Sequence, residues 1–93
     1  MKVARALRDY IRHKRSLGYR FQSDAVILKA FGRSVGAQAL HRIGRREVKS
    51  YLDGAGSVTT FWHRKWTSLR GFYRFALARR WVGQSPLPTT PPK

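Results

Sequence analysis

The sequence predicts an all-α fold, a single compact four-helix bundle. Three observations carry this. Apolar residues recur at spacings of three, four and seven over four separate stretches, no stretch alternates apolar with polar residues as a half-buried strand does, and glycine-bearing turns divide the stretches at intervals suited to short connections. A chain of 93 residues holds one domain at most. Its expected limits are residues 1–82, with 83–93 as a Pro-rich linker.

The first helix spans Val3 to Leu17, with Val3, Leu7, Tyr10, Ile11 and Leu17 on one side and Gly18 as its stop signal. Arg5, Arg8, Arg12 and Arg15 fall opposite, at spacings of three, four and three, and a solvated face is the plainer reading of that stripe. After the link Tyr19-Arg20-Phe21-Gln22, Ser23 is a good N-cap and Asp24 suits the positive end of a helix dipole. The second helix then runs to Val35, with Ile27, Leu28, Phe31 and Val35 inward, Lys29 and Arg33 outward, and Gly36 ending it. Ala37 to Gly44 is a connector pinned to the core by Leu40 and Ile43.

A short third helix, Arg45 to Leu52, turns Val48, Tyr51 and Leu52 inward and closes at Asp53-Gly54-Ala55-Gly56. Ser57 or Thr59 caps a fourth helix reaching Trp81, on the order of 35 Å long at about 1.5 Å per residue. Beyond it, the four prolines of QSPLPTTPPK suit neither a helix nor a central strand and give an extended linker.

The fourth helix contains FWHRKWTSLRGFYRF, in which aromatic rings alternate with Arg64, Lys65, Arg70 and Arg74 and no acid intervenes. On a helical wheel Val58, Trp62, Trp66, Leu69, Phe72, Tyr73, Ala76 and Leu77 share one sector, the expected core. Thr60, His63, Arg64, Thr67, Arg70, Gly71, Arg74 and Ala78 face away, with Phe75 at the edge and Lys65 toward the core side. Gly71 costs roughly 1 kcal/mol relative to Ala inside a helix. Either it lets an external surface approach the backbone or it permits a close helix crossing within the domain.

Charge decides the class of partner. Twenty Lys and Arg against four Asp and Glu give a net charge of +16, so self-repulsion opposes folding and a polyanion would relieve it. Fourteen of the twenty are Arg, whose planar fork fits phosphate oxygens and guanine edges. With 42% apolar residues the chain has material for a core and is not a disordered tail. Basic residues recur along the whole chain rather than on one amphipathic helix, and no apolar run suits a membrane span or signal core, so a soluble, unexported protein is expected. Zero cysteines exclude disulfides and thiolate chemistry.

Catalytic and metal-binding patterns are missing. His13, His41 and His63 have no partner at ligand spacing. Asp9, Asp24, Glu47 and Asp53 each fit a helix terminus or local ion pair, which leaves little for paired-carboxylate chemistry. Gly54-Ala55-Gly56 lacks the Gly-Lys-Ser/Thr of a phosphate loop. The chain is expected to be catalytically inert, with no cofactor, no metal and no small-molecule ligand.

The order of four motifs resembles a known family. These are Leu7-x-x-Tyr10 with Arg15-Ser16-Leu17-Gly18, Ile27-Leu28-x-x-Phe31, Val48-x-x-Tyr51-Leu52, and Leu69-Arg70-Gly71-Phe72-Tyr73-Arg74-Phe75-Ala76 followed by Ser85-Pro86-Leu87. Over nearly its whole length the chain resembles the N-terminal core-binding, or SAM-like, domain of tyrosine recombinases of the phage integrase family. Where that family commonly has Asn-Pro-Leu, this chain has Ser85-Pro86-Leu87.

The resemblance implies a fragment of a recombinase, working in a bacterial or phage-type cytoplasm at the nucleoid. In the family this domain and a larger C-terminal catalytic domain clamp duplex DNA at a recombination half-site during integration and recombination, and adjacent protomers touch. Arg, Lys, His-x-x-Arg and the Tyr nucleophile come from that other domain, so no Tyr here takes the nucleophile's role. The second and fourth helices would face DNA. This makes Arg20, Ser23, Lys29, Arg33, Thr60, His63, Arg64, Lys65, Thr67, Arg70 and Arg74 the expected contacts. Expected partners are duplex DNA, other protomers and the catalytic domain in cis. Two alternatives stand beside this: an RNA-binding basic helical module, with Phe61, Phe75 and Trp81 as stacking platforms if exposed, and a protomer-interaction domain anchored by Trp81 and Phe75.

Overall fold

Four α-helices, α1 (Val3–Ser16), α2 (Gln22–Val35), α3 (Arg45–Asp53) and α4 (Thr60–Ala78), form the protein, with a 3-10 turn at Leu40–Arg42. The computed structural model describes residues 1–54 and 60–88. Among these there is no β-strand, only an isolated antiparallel bridge between Lys2 and Ala39 that ties the connector to the N-terminus. The fold is all-α, as the apolar spacing predicts.

Helices α2 and α4 each pack on the other three, so they form the centre of the bundle. The apolar stripes read from the sequence are the core: Val3, Leu7, Tyr10 and Ile11 from α1, Ile27, Leu28, Phe31 and Val35 from α2, Val48, Tyr51 and Leu52 from α3, and Trp62, Leu69, Phe72, Tyr73 and Ala76 from α4. Leu40 and Ile43 pin the connector as expected. Leu17 and Leu77 do not join them. α1 stops at Ser16, which leaves Leu17 60% exposed, and Leu77 falls on the solvent side of α4.

The helix ends show where backbone geometry outweighs residue preference. α2 begins at Gln22, not at Ser23, because Phe21 turns the chain in a left-handed conformation (φ 57°). That turn sets the Phe21 ring edge-on to Tyr10 at 5.5 Å. Ser23 is therefore a second-position helical residue, and the helix has no side-chain cap. α3 starts with Glu47 reaching back to accept the Gly44 N–H at 2.9 Å, half of a capping box, since Gly44 has no side chain to return the bond. The Ser57 and Thr59 caps expected for α4 lie outside the described residues, as does Val58.

α4 ends three residues before the predicted Trp81. Arg80 takes a left-handed conformation (φ 60°), its N–H bonds Leu77 O at 3.0 Å, and the Trp81 N–H bonds Ala76 O at 2.9 Å. This is a Schellman closure with Arg80 where a glycine is usual. Trp81 then folds back on Phe75, ring centroids 5.3 Å apart.

The tail is packed further than a linker would be. Leu87 lies in the core cluster, and the Trp66 indole N–H donates to Pro88 O at 2.9 Å. The packed unit thus reaches Pro88 rather than stopping at residue 82. A leucine between two prolines supplies one apolar anchor, and Trp66 supplies the donor that holds it.

Candidate nucleic-acid interface

Helices α1 and α2 enclose a groove of about 780 Å³. Arg8, Arg12 and Arg15 line one wall, and Lys29 and Arg33 line the other; no carboxylate lines it. The α1 stripe that the sequence leaves as a solvated face is thus brought together with the two basic residues predicted on α2. All five are exposed, so their charges are free to meet a ligand. Leu7 approaches Gly32 here: a β-carbon on Gly32 would meet Leu7 Cδ1 at 3.0 Å, so the glycine sets how closely α1 and α2 pack. Arg20, in the link between the helices, and Ser23 are exposed but do not line the groove.

The outer face of α4 carries His63, Arg64, Thr67, Arg70 and Arg74, all exposed. Two of these already have intramolecular neighbours: the Thr67 hydroxyl donates to His63 O one turn back at 2.9 Å, and Arg70 lies over the Trp66 ring at 5.5 Å. None of the α4 residues lines the α1–α2 groove. Thr60 begins α4.

Two residues of this helix are engaged within the domain. Lys65 is half-buried, donates from Nζ to Tyr51 O at 3.0 Å and sits over the Tyr51 and Phe61 rings at 4.6 and 5.1 Å. Its charge is occupied within the domain, as its place toward the core side of the wheel foreshadowed. Gly71 does not open a path for an external surface, because a β-carbon there would lie 2.6 Å from Tyr10 Oη. It is the helix-crossing glycine, and α1 occupies the space.

The aromatic residues divide similarly. Phe75 and Trp81 are half-buried, with Phe75 in a cluster with Tyr10 (5.2 Å), His13 (4.9 Å) and Trp81. Phe61 is the one of the three ring candidates left exposed, at 54%.

Three of the four acids are used internally. Asp24 accepts from the buried Ser68 hydroxyl at 2.6 Å, tying α2 to α4, Asp53 accepts from the Trp62 indole N–H at 3.1 Å, and Glu47 caps α3. Asp9 is half-buried on α1. All four acids are half-buried, and they are few beside the twenty Lys and Arg.

Tyr10, Tyr51 and Tyr73 are buried, and burial is the main reason their hydroxyls hold their protons more tightly than usual. Tyr10 is pushed up to about 12, with the Asp24 charge adding to burial. For Tyr73 the Glu47 charge adds in the same sense, and for Tyr51 the Arg33 charge partly opposes it. Tyr51 donates to Ile27 O at 2.6 Å, whereas Tyr73 Oη has no partner among the described residues. Those residues also hold no cluster of three metal-ligating side chains and no helix long and apolar enough to cross a membrane.

The sequence contained a signal for Arg8, Arg12 and Arg15, the three-four-three spacing, but only the packing of α1 on α2 makes their wall face Lys29 and Arg33. Comparison of the chain with protein-family models, with curated proteins and with solved structures gives no match.

Proposed function

We propose that this domain is a non-catalytic duplex-DNA-binding module that positions a tyrosine-type site-specific recombinase on its half-site during DNA integration and recombination. One observation carries the DNA part of the reading. Exposed cations on α1, α2 and α4 stand on a chain with only four carboxylates, none of them fully exposed and three hydrogen-bonded within the fold. Such a surface suits a polyphosphate, and its arginine bias favours forked contacts to phosphate and base edges. The recombinase part rests on the motif order of the sequence.

Binding of a labelled duplex measured against salt tests it. Log K is expected to fall linearly with log salt, by about 0.9 for each phosphate contacted. Amide shifts in a duplex titration are expected to cluster on α2 and α4. A flat salt dependence rejects the reading, and preferential capture by structured RNA of equal length turns it toward RNA.

A further inference from the structure

We propose that the α1–α2 groove is a phosphate-backbone site, in which Arg8, Arg12 and Arg15 hold one DNA strand against Lys29 and Arg33. The inference rests on the DNA-binding reading and deepens it. That reading takes the contacts from α2 and α4, whereas this one brings α1 onto the DNA.

The chemistry of the groove fits a sugar-phosphate strand. Its walls carry five cations and no carboxylate, so anionic oxygens meet only donors. Leu7, Ile11 and Gly32 contribute apolar lining between the walls, a surface suited to deoxyribose rather than to water. Spacing agrees as well. Arg8 and Arg15 are seven residues apart on one helix, about 10 Å at 1.5 Å per residue. Successive phosphates lie farther apart along a strand than their rise of about 3.4 Å along the duplex axis, so that length spans about two of them, and the reach of the arginine side chains brings a third within contact. An acidic protein segment could also answer the charge. A continuous row of like charges is the regular property of a nucleic acid strand.

The probe is a fluorescein-labelled 20-base-pair duplex, titrated with the full chain over a range of salt. R8Q/R12Q/R15Q is expected to make the log–log slope shallower by about 2.7, three contacts at about 0.9 each. K29Q/R33Q is expected to make it shallower by about 1.8. R8K/R12K/R15K, which keeps the charges, should retain a near-native slope. Far-UV circular dichroism checks folding, and Ala4→Glu covers the case in which the triple variant unfolds. Ala4 is an exposed groove residue in the first turn of α1, where an acid favours the helix. Placed on the groove, the carboxylate is expected to weaken duplex binding by roughly tenfold or more at about 0.1 M salt.

The inference is overturned if R8Q/R12Q/R15Q and Ala4→Glu keep native affinity and slope while R64Q/R70Q/R74Q loses them. It is equally overturned if the α1 variants bind more weakly with an unchanged slope, since their loss is then not phosphate contact. A wild-type slope near zero is a different failure, that of the DNA-binding reading itself.

Discussion

A β-carbon on Gly71 would lie 2.6 Å from the phenol oxygen of Tyr10, so α4 crosses α1 where only a missing side chain lets the helices meet. Gly71→Ala gains about 1 kcal/mol in helix propensity. It must also displace a ring held by Phe21, Phe72 and Phe75, and overpacking of that kind costs roughly 1–3 kcal/mol. Calorimetry is expected to show a lower Tm for Gly71→Ala and recovery in the Tyr10→Phe/Gly71→Ala double variant. A single variant more stable than wild type rejects the crossing.

Two buried tyrosines should respond to loss of their hydroxyls with opposite signs. Tyr73 Oη has no hydrogen-bond partner among the described residues, so Tyr73→Phe removes an unsatisfied polar atom and should stabilise by about 1 kcal/mol. Tyr51→Phe removes the bond to Ile27 O and should destabilise by a similar amount, about 1 kcal/mol. Urea midpoints of the two variants, with unchanged m-values, are the measurement.

Alkaline pH should unfold the domain through the same side chains. Tyr10, Tyr51 and Tyr73 hold their protons above the ordinary value of 10.0, so their contribution is fully present below pH 10. Above it the unfolded chain releases protons that the folded chain retains, and stability falls, through about 12 for Tyr10. Each such tyrosine contributes at most about 1.4 kcal/mol per pH unit. Urea midpoints should decline steadily from about pH 10 upward, and less steeply in Tyr73→Phe; equal slopes would count against burial as the cause.

Arg80 occupies a left-handed position that favours glycine. Relief of that backbone strain, about 1–2 kcal/mol, exceeds the added chain entropy of glycine, about 0.5–1 kcal/mol. Arg80→Gly should therefore raise the Tm by several degrees, and Arg80→Val should lower it.

The core was legible because burial on a helix leaves a periodic trace. Val3, Leu7, Tyr10 and Ile11 show it, and so do Ile27, Leu28, Phe31 and Val35. What escaped depends on three-dimensional neighbours. The buried Ser68 hydroxyl is satisfied by Asp24, 44 positions away, which no local pattern records. Trp81 reads as helical because the first helix-breaking residue beyond it is Gly83, yet Arg80 turns the chain first. Gly71 had two readings until Tyr10 was found opposite it. Arg8, Arg12 and Arg15 were visible as a stripe, but which surface they share is a property of helix packing.

The excess of twenty Lys and Arg over four acids has a thermodynamic corollary. With a net charge of +16, the protein must draw nearly all its neutralising charge from solution. Ions then act as components of the folded state, and those that gather on the compact form more than on the open chain raise its melting point by mass action. A Tm in chloride and one in phosphate thus describe two differently completed molecules, and the buffer anion belongs in the definition of the protein's stability.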